Sequence, residues 1–229
     1  NPGLEFAGVS GNLWKGQVQR LTTPEAVVND LSWTLAPVKL LTGYLAADLE
    51  AEVKTVQVRG QCGISIGKTL HCSPLRAELD ARNIGQLASE GSSLPTGLEG
   101  TMIANLDDVT WDRVKLPVIN GRFLWDDGKV SNPVQIDLGG RYQANVETSK
   151  DDGALAIELL SEETAIVLDG EINIEPEGEY ALELSVKAAN SAPPMVGAAL
   201  EMLGAVQTDG SIRITQKGVL PLPKVEAEK

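Results

Sequence analysis

The chain has 229 residues, 42% hydrophobic and 22% charged, which is long enough to bury a sizeable core in one large or two small domains. Its net charge is −13 and its lysines and arginines are scattered along the sequence, so nucleic acid is not expected as a partner. One histidine and two cysteines are too few for a histidine-based metal site or a four-cysteine zinc site, and we expect neither a metal nor a cofactor.

Apolar and polar residues alternate over most of the chain. The alternation occurs at 56–66, 75–81, 102–111, 134–146, 166–174, 180–186 and 212–215. Each strand therefore has one apolar face and one polar, solvent-exposed face, whereas buried parallel strands have continuous apolar runs. The sequence therefore predicts an all-β protein whose sheet is antiparallel and built from hairpins.

Asp-Gly and Asn-Gly pairs, which tolerate the positive φ of hairpin turns, punctuate these segments. They lie at 120–121, 127–128, 152–153, 169–170 and 209–210. The pair at 169–170 has a second interpretation, as part of a strand, because the alternation runs through it. Helical signals are limited to 23–30, 37–41 and 194–203, so we expect one to three short helices.

So few short helices cannot cover the apolar face of so many strands. A sheet curled into a half-barrel or incomplete barrel leaves this face open as a groove, whereas a closed β-sandwich fills it with side chains. We predict the curled sheet and keep the closed sandwich as the alternative. The residues expected to line the groove are Val134, Ile136, Leu138, Ile172, Ile174, Leu182 and Leu184.

The sequence predicts one β-domain over residues 1–220. The alternative is a subdivision near 89–97, a segment rich in serine and glycine. The last residues, 221–229, are expected to be a disordered tail. Because the sequence starts at Asn1 and not at methionine, we expect it to be a piece of a longer protein.

Cys62 and Cys72 flank a short segment in which Gly67 marks a turn. A hairpin centred there would place both cysteines on neighbouring strands, so we expect a disulfide between them, with two buried thiols as the alternative. Closing so short a loop is worth about 2–3 kcal/mol of stability by loop-entropy arguments. A disulfide also implies an oxidising compartment such as the periplasm.

A set of short motifs adds a family resemblance. The motifs are GVSGNLWKG at 8–16, LSWTLAPVKLLTG at 31–43, GRFLW at 121–125, and the segments 200–204, 209–214 and 218–220. In this order and spacing they resemble the type II secretion system protein N family, over most of the chain.

The resemblance implies the periplasmic domain of a single-pass inner-membrane protein of a Gram-negative bacterium, with the membrane anchor absent from this sequence. Members are accessory components of the machine that exports folded proteins across the outer membrane. The implied partners are other subunits, namely the inner-membrane platform and the secretin. The family supplies no catalytic residues, so we expect no enzymatic activity.

The family is also distantly similar to AsmA-type periplasmic proteins, whose curled sheets carry apolar grooves. This analogy gives the alternative function, a module that binds or transfers lipid. Within the motifs, the residues of interest are Trp14, Trp33, Pro37, Gly43 and Trp125. For Trp14 and Trp33 we weigh a structural role at the end of the sheet against a docking role, because tryptophan is enriched in binding hot spots.

Overall fold

The computed structural model describes residues 4–23, 27–40, 43–87, 97–112, 114–131, 135–202 and 204–220. These residues form a single sheet of thirteen antiparallel strands, whose order in space is their order in the chain. In the described ranges the first and last strands are each paired on one side only, so the sheet is open. The predicted all-β, hairpin-built, unclosed sheet is confirmed, and the closed sandwich is excluded.

The elements follow one another with short connections. The strands are β1 Glu5–Gly11, β2 Lys15–Thr22, β3 Val27–Leu35, β4 Tyr44–Val53, β5 Val56–Ser65, β6 Leu70–Asp80, β7 Leu98–Trp111, β8 Val118–Val130, β9 Ile136–Thr148, β10 Leu155–Glu162, β11 Ile166–Ile174, β12 Glu179–Ala188 and β13 Ile212–Val219. The helices are α1 Pro37–Leu40 and α2 Pro194–Glu201, and a 3₁₀ segment covers Ala81–Leu87. None of the helices described is long and apolar enough to cross a membrane.

Two neighbouring rows of directly paired residues cross all thirteen strands. The polar row consists of Ser10, Gln17, Ser32, Glu50, Arg59, Arg76, Asn105, Arg122, Asn145, Glu158, Glu171, Glu183 and Thr215. The apolar row consists of Gly11, Gly16, Trp33, Leu49, Gly60, Leu75, Leu106, Gly121, Val146, Ile157, Ile172 and Leu182, and ends at Gln216. Since successive residues of a strand point to opposite faces, the sheet has one polar and one apolar face.

Many large apolar side chains of the described strands are exposed to solvent, among them Leu45, Ile64 and Phe123. One buried cluster joins Val146, Leu155 and Ile174 on β9, β10 and β11. The apolar face of the sheet is therefore only partly covered.

A second buried cluster lies under α2, at the end of the sheet formed by β12 and β13. Val196 and Leu200 of the helix pack against Val186 and Ile212, and Val196 and Ile212 are almost fully buried. Pro194 starts the helix, where its missing N–H costs nothing. The helix predicted at 194–203 is confirmed, with its end at Glu201.

Two local predictions are wrong. Residues 27–30 belong to β3 and not to a helix, in line with the strand preference of the β-branched Val27 and Val28. The glycine pairs at 120–121 and 127–128 lie inside β8 and not in hairpin turns. There Gly121 and Asp127 have φ of 148° and 51°, next to irregularities in the strand pairing. Positive φ at a bulge uses the same residue types as positive φ at a turn.

The domain predictions are unchanged by the structure. Residues 221–229 and most of the segment 89–97 lie outside the described residues. The single domain over 1–220, the subdivision near 89–97 and the disordered tail therefore stay predictions.

Cys62 and Cys72 lie directly opposite each other on β5 and β6 and form a disulfide. Their Cα atoms are 4.1 Å apart, and the hairpin turn between them includes a hydrogen bond from the Lys68 N–H to the Ser65 carbonyl. The predicted pairing is confirmed.

Replacing both cysteines, Cys62→Ala with Cys72→Ala, should lower the free energy of unfolding by about 2–3 kcal/mol, because the unfolded chain regains the freedom of the loop. Urea unfolding followed by far-UV circular dichroism measures the loss. The wild-type protein in reductant is the control and should match the double variant. Equal midpoints for the oxidised wild type and the variant would contradict the expectation.

Candidate functional site: the apolar trough and the β1 edge

An open trough of about 440 Å³ runs along the apolar face from β5 to β11. Its side chains are almost all apolar and include Val56, Ala77, Leu79, Met102, Ala104, Phe123, Trp125, Tyr142, Ala144, Leu159 and Leu168. The volume lies within the range of about 300–1,000 Å³ typical of small-ligand sites. Chemically, such a surface can accept an apolar chain but offers few polar groups to orient one.

Three alanines lie in one row of the trough. Ala77 pairs with Ala104, Ala104 pairs with Phe123, and Phe123 pairs with Ala144. The next row places Met102 opposite Trp125 and Trp125 opposite Tyr142. Alanines beside large aromatic and thioether side chains leave the depression that gives the trough its depth.

Trp125 is fixed in orientation inside the trough. Its Nε1–H donates to the Glu99 carbonyl at 3.0 Å, and its ring lies 5.6 Å from the Tyr142 ring, centroid to centroid. Burial raises the pKa of the Tyr142 phenol. Both rings are thus held by the sheet, and their faces line the apolar surface.

The residues predicted to line the groove have several locations. Ile136 and Leu184 pack against the cluster under α2, while Ile174 belongs to the β9–β11 cluster and Ile172 packs against it. Leu138 is buried, and Leu182 pairs with Ile172. Val134 lies outside the described residues. None of the six described residues lines the trough itself, and their role in a ligand groove stays a prediction.

The tryptophan motifs meet at one corner of the sheet. Trp33 pairs with Gly16, and its Nε1–H donates to the Leu13 carbonyl at 3.0 Å. A Cβ on Gly16 would lie 2.4 Å from the Trp33 ring, so only glycine fits under the indole. The Asn12 side chain closes the β1–β2 turn by accepting from the N–H groups of Trp14 and Lys15.

Pro37 and Gly43 bound the short connection from β3 to β4. Pro37 is the first residue of α1, and the Gly43 N–H donates to the Leu40 carbonyl at 3.1 Å. Gly43 has a φ of 80°, which is strained for other residues. The motif residues therefore build a corner, whose docking role stays a prediction.

The edge strand β1, next to this corner, exposes large apolar side chains. Phe6 is 58% exposed and Val9 61%, and the flanking Leu13 is 71% exposed. Trp14 of the corner is itself half exposed. Sequence reasoning identified Trp14 through its motif but missed β1 as an edge, because periodicity does not tell which strand is outermost.

The family comparison now bears on these features. The family model described as "Type II secretion system (T2SS), protein N" matches residues 2–215. This chain belongs to that family. The match covers both the trough and the β1 edge, and membership places the chain among the components of the type II secretion system.

Two relatives agree with the family match. Type II secretion system protein N of Pectobacterium carotovorum subsp. carotovorum is 24% identical over 221 residues, covering 95% of this chain and 85% of that protein. The protein of the same name from Vibrio cholerae serotype O1 (strain ATCC 39315 / El Tor Inaba N16961) is 35% identical over 66 residues, covering 28% of this chain and 26% of that protein. No solved structure matches the chain.

Gly16→Ala should lower the free energy of unfolding by about 1–3 kcal/mol, because the added methyl group overlaps the Trp33 ring. Thermal and urea unfolding measure the change. Gly197→Ala in α2 is the matched control, since a Cβ there meets nothing within 4 Å and should be neutral or slightly stabilising. Equal losses in the two variants would show that the Trp33–Gly16 contact does not hold the corner.

Proposed function

We propose that this domain is a non-enzymatic, periplasmic component of the type II secretion system that supports export through contacts with other subunits. The observation that carries the proposal is the β1 edge, which pairs with no described strand on its outer side and exposes apolar side chains at one end of the sheet. An edge of this kind can add a strand from a partner, with main-chain hydrogen bonds for affinity and side-chain contacts for specificity.

The composition of the opposite edge, β13, makes β1 the better candidate for adding a partner strand. Strand β13 carries Arg213 and Lys217, and charged side chains protect edges against strand addition. Strand β1 carries a single charged residue, Glu5. Of the two edges described, β1 is thus the one whose composition suits a partner strand.

The disulfide supports the periplasmic location. Disulfides form and persist in oxidising compartments and are rare in the cytosol. Cys62 and Cys72 are paired across neighbouring strands. We accordingly propose that the domain lies on the periplasmic side of a single-pass inner-membrane protein, with the inner-membrane platform and the secretin as partners.

Val9→Lys should weaken binding to the purified periplasmic domain of the partner subunit at least tenfold, because a lysine on an edge strand disfavours strand addition. Surface plasmon resonance against the secretin and platform domains measures the affinity. Thr215→Lys on β13 is the matched control and should bind as the wild type does.

The same pair of variants, tested in cells, links binding to export. Secretion of folded cargo into the medium should fall with Val9→Lys and not with Thr215→Lys, at equal levels of the two proteins. Wild-type affinity in the Val9→Lys variant would contradict docking at β1, and unaltered secretion after loss of binding would contradict its importance for export.

The trough favours a second candidate function, the binding of a lipid acyl chain. An open, almost wholly apolar depression of about 440 Å³ is unusual on a soluble surface and suits a hydrocarbon chain. The proposal is independent of the β1 edge, because the trough lies on β5–β11.

Ala104→Phe should fill the trough floor and weaken acyl-chain binding at least tenfold. A brominated fatty acid is the probe, and quenching of tryptophan fluorescence is the readout, since Trp125 lines the trough. Val167→Phe is the matched control, because Val167 is exposed and lies on β11 with parity opposite to Leu168 of the trough. Failure of the wild-type protein to show saturable quenching would remove this candidate.

A further inference from the structure

A second cavity, larger than the trough, is on the polar face. It is an open cleft of about 1130 Å³ that spans β1 to β8. The polar row crosses it and contributes three arginines, Arg59, Arg76 and Arg122. These residues are far apart in the sequence, and the register of the hairpins brings them into one line.

Like charges face each other in this line. Arg59 pairs directly with Arg76 across β5 and β6, an arrangement that costs stability. Arg76 has a partial counter-ion in Glu78, at 3.1 Å. Within the described ranges Arg59 and Arg122 make no ion pair, although Asp48, Glu50 and Asp107 also line the cleft.

The other half of the polar row is acidic. Glu158 pairs with Glu171 and Glu171 pairs with Glu183, so three exposed carboxylates lie opposite one another on β10, β11 and β12. Their contacts are with amides, from Asn145 to Glu158 and from Asn173 to Glu171. One row thus holds an arginine half and a glutamate half. The glutamates are opposite one another, whereas in the arginine half Arg59 lies between Arg76 and Glu50, and Arg122 lies between Asn105 and Asn145.

Apolar residues lie beside the middle of the polar row. On the same face by alternation, two residues along each strand, Ile103 pairs with Leu124 on β7 and β8, and Leu160 lies on β10 beside Gln143 of β9. These residues are half-buried, and they also border the trough on the other side of the sheet. An apolar centre with charges around it is the usual anatomy of a protein interface.

We propose that the polar face binds a second copy of this chain, face to face, about a two-fold axis that runs parallel to the strands between β8 and β9. This axis exchanges β5 with β12, β6 with β11 and β7 with β10. It places Arg59 over Glu183 and Arg76 over Glu171 of the second copy, and it places Ile103 over Leu160. Each copy supplies both halves of the charged row, so the pairing occurs twice.

The dimensions suit such a dimer. Strands about 4.8 Å apart give β5 to β12 a width of about 34 Å, and three rows give a length of about 20 Å, or roughly 700 Å² on each copy. Stable interfaces bury roughly 800 Å² on each partner. Stacked sheets lie about 10 Å apart, a gap that arginine and glutamate side chains span together.

The axis also places Glu78 over Asp169 of the second copy, a contact between like charges. Its cost is reduced because Glu78 already forms an ion pair with Arg76.

Charge exchange tests the proposal on the 229-residue chain. The acidic variant carries Arg59→Glu and Arg76→Glu, and the basic variant carries Glu171→Arg and Glu183→Arg. By sedimentation velocity in 0.15 M salt, the wild type should dimerise at micromolar concentration, and each variant alone should be monomeric. A mixture of the two should restore the dimer, because both charged rows are then complementary again.

A dimer in the mixture of the two variants would not be due to attraction between their net charges. Each Arg→Glu change lowers the net charge by 2 and each Glu→Arg change raises it by 2, so the two variants carry −17 and −9 and repel each other. A matched control, Arg20→Glu with Lys68→Glu, also carries −17 but alters exposed residues away from the row, and should dimerise as the wild type does.

Three outcomes would overturn the proposal. The first is a wild-type chain that stays monomeric to about 100 µM, and the second is a dimer that survives both charge exchanges. The third is a dimer that Val9→Lys abolishes, since the copies would then associate through β1. A monomeric chain that binds a glutamate-rich peptide through Arg59 and Arg76 would assign the cleft to an acidic partner instead.

Discussion

Everything in this protein depends on the unbroken antiparallel pairing of thirteen strands. Because each described strand pairs with its neighbours in sequence, the backbone hydrogen bonds of one sheet carry the fold, and α2 covers the end of it formed by β12 and β13. The strict alternation of side chains then separates an apolar face from a polar one. The trough, the β1 edge and the charged row are three consequences of the same pairing.

Much of the fold could be predicted from period-two alternation. The segments 166–174 and 180–186 lie in β11 and β12, and the cysteines flanking Gly67 pair across a hairpin as expected. Alternation is a reliable signal here because one face of each strand meets water. The pairs at 120–121 and 127–128 were misassigned because a bulge and a turn both require positive φ, and residue type alone does not separate them.

The candidate site was less accessible to sequence analysis. Which residues lie side by side depends on the register of every hairpin, and the register shifts at points such as Gly60/Cys62 and Leu106/Asp108. One such shift changes which residues face each other across the strands, so neither the arginine line nor the position of the alanines under the trough follows from spacing. Trp125 could be selected from the sequence because it lies in the motif at 121–125 and follows the apolar alternation.

The coincidence of strand order with chain order has a consequence for how the protein is made and how its length can change. Every pairing joins segments that are close in sequence, a topology that favours rapid folding from local contacts. A chain that emerges from its amino end during synthesis can add one hairpin at a time to those already formed. During evolution a terminal hairpin can likewise be gained or lost without a change in the pairing of the remaining strands, much as repeat arrays grow by whole units.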